Sequence, residues 1–304
     1  MPDVQVRRAD EGDLRAIAAI TVATDQHDEW GGRNPAYVRH LMRHGRFVVA
    51  EVAGQVTGFG AAQRFGTGSE AVTVLCDLFV DPAAHGRGHG RAMLTELWSA
   101  AGRKQTFSSR HAHALPLYTS FGLDAWWPLL YLQGDPGRLP VPPGWRLDPL
   151  AAEQAAQYED DWTGIDRSAD YEAWAARRDA ESVQITRDGK VIAAAIVLPA
   201  GPEKGIMRLA AAPAVDDGTS AAAVLTALAG LTTLAGLTTR DGLTAPGELP
   251  GTAAWPATVC LPAPHPAVRA LLAAGWRVDD FDLYMASEPG MLDPRRAVPS
   301  PGQA

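Results

Sequence analysis

The chain has 304 residues, with 27 Lys and Arg against 35 Asp and Glu, and a net charge of −8. That acidity, with no Lys/Arg runs, excludes the electrostatic footprint of a nonspecific nucleic-acid binder. With 46% hydrophobic and 20% charged residues, it reads as a soluble globular protein of one large or two ordinary domains.

Two cysteines, Cys76 and Cys260, lie in apolar stretches and give no disulfide framework. The N-terminus has no apolar leader, so a reduced, cytoplasmic setting is expected. No stretch has the character of a membrane span. Ala221 to Leu237 is rich in Ala, Thr and Gly and reads as a soluble helix plus turn.

The pattern in chain order begins with a strand over Val4 to Arg8 and a helix over Asp10 to Ala23. Asp10 or Asp13 is placed to cap that helix. Residues 24–36 are polar and aromatic, and Tyr37 to His44 reads as a second helix. Phe47 to Glu51 and Gln55 to Arg64 are strands around a turn at Ala53-Gly54. Val72 to Val80 is apolar and β-branched, suited to a buried strand, and Pro82 stops it. Gly86, Gly88 and Gly90 then alternate with Arg87, His89 and Arg91 before Ala92, Met93, Leu94, Leu97 and Trp98 fall at helical spacing.

Strand, glycine loop and helix in that order suit an anion. A helix start leaves backbone N–H groups without partners, and its dipole favours negative charge. Glycines remove the Cβ atoms that would hold a phosphate away. The stretch is neither a Walker loop nor a dinucleotide fingerprint, because no Gly-Lys-Ser/Thr follows and Arg91 stands where the third glycine belongs.

The stretch resembles the acyl-CoA loop of the GCN5-related N-acetyltransferase (GNAT) superfamily, Gln/Arg-x-x-Gly-x-Gly/Ala after a strand ending Val-x-Pro. His85, Gly88 and Gly90 take those places after Val80-Asp81-Pro82, with His85 where Gln or Arg is usual. Downstream, Ala114, Leu117, Tyr118 and Gly122 resemble the second signature, Asn-x-x-Ala-x-x-Leu-Tyr-x-x-x-Gly-Phe; His111 replaces its Asn and Leu123 its Phe. Gln105 to Ser108 and Ala125 to Leu132 read as the remaining strands. Pro136, Gly137, Pro140, Pro142, Pro143 and Gly144 mark a linker.

The rest repeats this order weakly. Val183 to Thr186 and Val191 to Leu198 form a hairpin about Asp188-Gly189, and Ile206 to Ala211 matches the strand before the loop. With Pro213 set on Pro82, Gly86 faces Asp217, Gly88 faces Thr219 and Gly90 faces Ala221; Leu271 stands in the place of Tyr118. The glycines are gone, and Asp216 and Asp217 would repel pyrophosphate. The expected fold is therefore α/β (α+β), with two tandem GNAT-like domains, each a mixed, mostly antiparallel sheet flanked by helices. An intact copy is expected over 1–135, a linker over 136–144, a degenerate copy over 145–287 and a disordered tail over 288–304.

The resemblance implies acetyl transfer from acetyl-CoA to an amine by direct attack, without a metal. Leu78, Phe79 and Val80 would lie along the pantetheine. His85, Gly86, Arg87, Gly88, His89, Gly90, Arg91 and His111 would complete the CoA site, and Tyr118 would protonate the leaving thiolate. An alkyl amine of pKa about 10.4 is neutral in about one molecule in 2,500 at pH 7, a cost of about 4.6 kcal/mol, so a base is wanted. Asp77, a carboxylate in an apolar strand, is the first candidate; Glu29, Asp28, His27 and His113 are alternates. His111-x-His113 lacks a third ligand for a metal, and Cys76 reads as an inert strand thiol. Asp28 and Glu29 beside Trp30 and Trp126 suit a small cationic amine. No nucleic acid or membrane partner is expected, and the chain is expected to be a monomer or homodimer. The other reading is a lapsed acyl-CoA-binding sensor or partner module.

Overall fold

A computed structural model describes residues 3–25, 34–177, 179–238 and 255–300. The chain forms two compact units, Met1–Trp126 with Tyr284–Met291, and Trp127–Leu283 with Leu292–Ser300.

The first unit begins with β1 (Gln5–Arg8). Asp10 caps a single 3-10 turn, and α1 (Leu14–Ala23) follows. Asn34 accepts from the Ala36 N–H and starts α2 (Pro35–His44), with proline at the first helical position. Then come β2 (Arg46–Val52), β3 (Gln55–Phe65), β4 (Val72–Val80), α3 (His89–Leu97), β5 (Arg103–Ser108), α4 (Ala114–Thr119) and β6 (Asp124–Gly134), which belongs to the second unit from Trp127 on. The β2–β3 turn places Ala53 at φ 50° and Gly54 at φ 79°. That two-residue reversal matches the twist of its strands. β1 to β4 pair antiparallel in chain order, while β5 runs parallel to β4. One face packs Ile17, Ile20, Val38 and Leu41 from α1 and α2 onto Phe47, Val49 and Phe59. The other packs Met93, Leu94 and Leu97 from α3 and Tyr118 from α4 onto Val48, Ala50 and Leu75.

The second unit continues with β7 (Trp145–Pro149), α5 (Ala152–Thr163), α6 (Ser168–Ala175), β8 (Glu181–Arg187), β9 (Lys190–Leu198) and β10 (Gly205–Ala211). α7 (Asp217–Thr238), β11 (Ala257–Pro262), α8 (Ala267–Ala273), β12 (Arg277–Ala286) and β13 (Ala297–Val298) complete it. The β8–β9 turn repeats the first hairpin, with Asp188 at φ 50° and Gly189 at φ 77°.

The segment expected as helix plus turn is one helix, α7. It is long and apolar enough to cross a membrane, and here Ala223, Val224, Ala227, Leu228 and Leu231 form the unit's core. Gly230 does not break it. A Cβ there would stand 2.3 Å from Leu147 Cδ2, so glycine admits the close approach of β7.

The terminal strands of the two copies are exchanged. β6 pairs from Leu129 to Gly134 with Pro262 to Ala257 of β11, in the second unit. The end of β12, from Tyr284, belongs to the first unit, where the Tyr284 hydroxyl donates to Gln105 Oε1 of β5 at 2.7 Å. The tail expected to be disordered is described to Ser300, and β13 pairs antiparallel with β10.

His265 is buried where the second unit's helices meet. Its Nδ1 accepts from the Ala267 N–H at 3.2 Å, and its Nε2 faces Ser220 Oγ at 3.4 Å. Burial pushes the imidazole down to about 4, with Asp293 opposing in part. A base whose folded pKa lies below its unfolded value of about 6.5 takes up a proton on unfolding. Its share of stability is therefore complete above that value and is lost as the pH falls toward 4. We expect the second unit to lose about 2 kcal/mol between pH 7 and pH 4.5 from this group alone. Denaturant unfolding of wild type and His265→Gln at both pH values checks this, and an equal pH slope in the two proteins would contradict it.

Candidate active site

β4 is irregular where the chemistry is expected. Against β3, Asp77 faces Ala61 and Leu75 faces Ala62, so Cys76 is an extra residue, a β-bulge. Against β5 the parallel pairing runs only from Val72–Arg103 to Leu75–Thr106, while β4 continues to Val80. The two strands thus form a fork that opens beyond Leu75. Leu78 and Val80 join the core under α3 and α4, whereas Phe79 joins the core under α1 and α2. Strand alternation puts Asp77 on the face of Phe79, and the residue is only 3% exposed.

The loop beyond β4 is built from local capping. Asp81 accepts from the Ala83 N–H at 2.8 Å, holding the single turn Pro82–Ala84. The His85 ring donates through Nε2 to the Val80 carbonyl at 2.8 Å. Gly86 at φ 73° and Gly88 at φ 85° are left-handed, and a Cβ on either would meet nothing within 4 Å. These glycines answer to backbone conformation and to an open side, not to crowding by the chain. Gly88 caps α3 with no side-chain acceptor, and the first helical bond is Ala92 N–H to Gly88 O at 2.9 Å. The N–H groups of His89, Gly90 and Arg91 therefore precede the first helical bond, the arrangement that suits an anion. Gly90 lies close to Leu117, Leu78 and Val80 and seats the helix on the fork.

The candidate side chains do not all face that opening. His89 is buried, with Nδ1 2.9 Å from Thr57 Oγ1, and burial with nearby Arg87 lowers its pKa, so only its backbone is available to the loop. Arg87 is exposed, and Arg91 stacks its guanidinium 5.6 Å from the centre of the Phe121 ring. His111 lies beside His85, ring centres 5.5 Å apart, and His113 completes a cluster at 5.4 Å from His111 and 6.5 Å from His85. The sequence offered no sign that His85 would join the other two. Among the described residues, no group of three or more His, Cys, Asp or Glu is arranged to hold a metal. Tyr118 is 7% exposed and packs edge-on against Trp98 at 6.1 Å. Trp126 is 41% exposed and donates through Nε1 to the Ala286 carbonyl at 3.2 Å. Asp28, Glu29 and Trp30 lie outside the described residues.

The sequence model of the acetyltransferase (GNAT) domain matches residues 43–122, from the end of α2 through α4. Within the first unit, residues 43–122 are thus similar to a GNAT acetyltransferase domain. The same fold extends over both copies. A Pyrococcus horikoshii protein assigned as an acetyltransferase superposes with a TM-score of 0.69 at 12% identity, over 99% of this chain and 96% of that one. A tandem GNAT protein from the clavulanic acid biosynthesis pathway gives 0.59 at 14% identity, over 96% and 100%. A GCN5-related N-acetyltransferase from Sphaerobacter thermophilus gives 0.58 at 14%, over 97% and 99%. No curated protein matches the chain.

The second copy of the fold keeps the frame and places other residues in it. With Pro213 on Pro82, Met207 falls on Cys76, and β10 has its register shift there, Ile206 facing Val197 and Arg208 facing Ile196. Arg208 therefore stands where Asp77 stands. Its guanidinium bonds Glu159 on α5, and Glu159 also meets Tyr171 and Arg167, all buried. At the helix start, Asp216 accepts from the Thr219 N–H at 2.7 Å. The chain's own carboxylate occupies the helix end that α3 leaves to its backbone.

Proposed function

We propose that the first copy moves the acetyl group of acetyl-CoA to the amine of a small cationic acceptor by direct attack. The observation that carries this is the fork beyond Leu75 leading to a helix start capped by glycine rather than by a side chain. The residues fit the donor: amides of His89 to Arg91 and the Arg87 charge suit the pyrophosphate, and the backbone of Leu78 to Val80 suits the pantetheine. The acceptor nitrogen attacks the thioester carbonyl, the carbon–sulfur bond breaks, and the products are an amide and the CoA thiol. Asp77, buried in the α1–α2 face of β4, is the proposed base that takes the amine's proton. Tyr118 is the proposed acid toward the thiolate. The net charge of −8, the acids Asp25, Asp28 and Glu29, and the face of Trp126 support a cation with a hydrocarbon or ring body.

Thiol release from acetyl-CoA across a panel of amines tests the activity. Release with a cationic amine and recovery of its N-acetyl product are expected. Binding of acetyl-CoA without release by any amine would favour a sensor instead. Tyr118→Phe keeps the packing against Trp98 and removes the proton. It is expected to lower kcat about 100-fold with acetyl-CoA affinity near wild type. Wild-type turnover in that variant would remove Tyr118 from the chemistry.

A further inference from the structure

The second copy has a fork of its own. β10 runs parallel to β11 only at Gly205–Thr258 and Ile206–Val259, and Ile206 is the counterpart of Leu75. Beyond it, β13 pairs antiparallel with β10, Val298 opposite Leu209 and Ala297 opposite Ala210. It also lies against β11. Leu209, Ala210 and Ala211 are the counterparts of Leu78, Phe79 and Val80, the backbone assigned to pantetheine in the first copy.

The segment before β13 follows the rest of the same groove. The Ala211 N–H donates to the Arg296 carbonyl at 3.1 Å, and Arg296 Nε donates to the Val215 carbonyl at 3.3 Å. The Ser220 hydroxyl donates to the Arg295 carbonyl at 2.6 Å, and the Arg295 guanidinium pairs with Asp217, the counterpart of Gly86. Asp293 holds the segment's shape, accepting from the Arg295 N–H at 2.9 Å and from Arg296 Nη1 at 2.7 Å. Val298 is 0% exposed within the core. The groove has thus reversed its charge. Where the first copy offers glycine amides and arginines, the second offers Asp216 and Asp217 and receives arginines.

We propose that the second copy's cleft is a peptide-binding site whose permanent ligand is the chain's own segment Asp293–Val298, lying where the first copy takes acyl-CoA. The correspondence rests on the acyl-CoA reading of the first copy; the occupancy of the groove does not. Main-chain pairing holds the strand, as in β-augmentation, and Asp217 takes Arg295. The second copy then has no cofactor-binding state.

Ala210 and Ala297 face each other in the pair next to the bonded Ala211–Arg296 pair, so they form a close, non-hydrogen-bonded pair. That spacing suits a disulfide. In the full chain, Ala210→Cys with Ala297→Cys is expected to crosslink fully on mild oxidation, mapped by mass spectrometry. The locked protein is expected to bind acetyl-CoA with unchanged stoichiometry, at an affinity within about twofold of the reduced form. Failure to crosslink overturns the occupancy. Loss of an acetyl-CoA equivalent on locking overturns the claim that this cleft is closed to cofactor. Absence of acetyl-CoA binding in both forms, with the crosslink formed, would overturn the acyl-transfer reading and leave the strap standing.

Discussion

Replacing Gly88 by Glu is expected to abolish acetyl-CoA binding while the protein stays folded. Gly88 sits at φ 85° with nothing within 4 Å of an added Cβ, so the first atom of a side chain has room. The left-handed backbone costs a non-glycine residue about 1 kcal/mol, a small fraction of a domain's stability. The ligand meets far more. A carboxylate at the cap of α3 sits against the amides of His89 to Arg91 and puts negative charge where pyrophosphate must come. We expect affinity to fall at least about 100-fold, or about 2.7 kcal/mol, with thermal unfolding nearly unchanged. Wild-type affinity in this variant would place the cofactor elsewhere.

The second large effect is on stability. Glu159 is 0% exposed and accepts from Arg208 Nε at 3.1 Å and from the Tyr171 hydroxyl at 2.8 Å, with Arg167 at 3.5 Å. Arg167 in turn donates to Asp170 at 2.9 Å. Burial opposes the charge on Glu159, but Arg208, Arg167 and the Tyr171 hydroxyl together outweigh it and hold the carboxyl below its ordinary range. Glu159→Gln leaves two buried guanidinium groups with one carboxylate. Breaking such a set costs about 3–5 kcal/mol, because the cost of the remaining buried charge is no longer offset. Hydrogen exchange of β8 to β10 reports it for the second unit alone, which avoids treating two units as one transition. A loss below about 1 kcal/mol would mean that the cluster relaxes or admits water. Arg208→Met combined with Glu159→Gln should cost less than the sum of the two.

Local features were the legible ones. The strand, the loop glycines and the helix start lie within one short stretch, and each answers to backbone geometry that residue type reveals. The loss of Gly86, Gly88 and Gly90 from the second copy was legible for the same reason. The fate of Asp77 was not: Arg208 occupies its place, but only the fold brings Glu159 of α5 beneath it. The exchange of terminal strands was hidden because pairing of β5 with the end of β12 joins residues far apart in sequence, and hydrophobic pattern carries no partner label. The tail was misread because Asp293, Pro294, Arg295 and Arg296 look like solvated chain. Its order comes from Val298 in the core and from backbone bonds to β10, neither of which composition records.

The most direct test of a single acyl-CoA site, in the first copy alone, is calorimetric titration of acetyl-CoA into the full-length chain. The predicted result is one equivalent bound per chain in the wild type and none in Gly88→Glu. Two equivalents in the wild type, none at all, or one that persists in Gly88→Glu would contradict it.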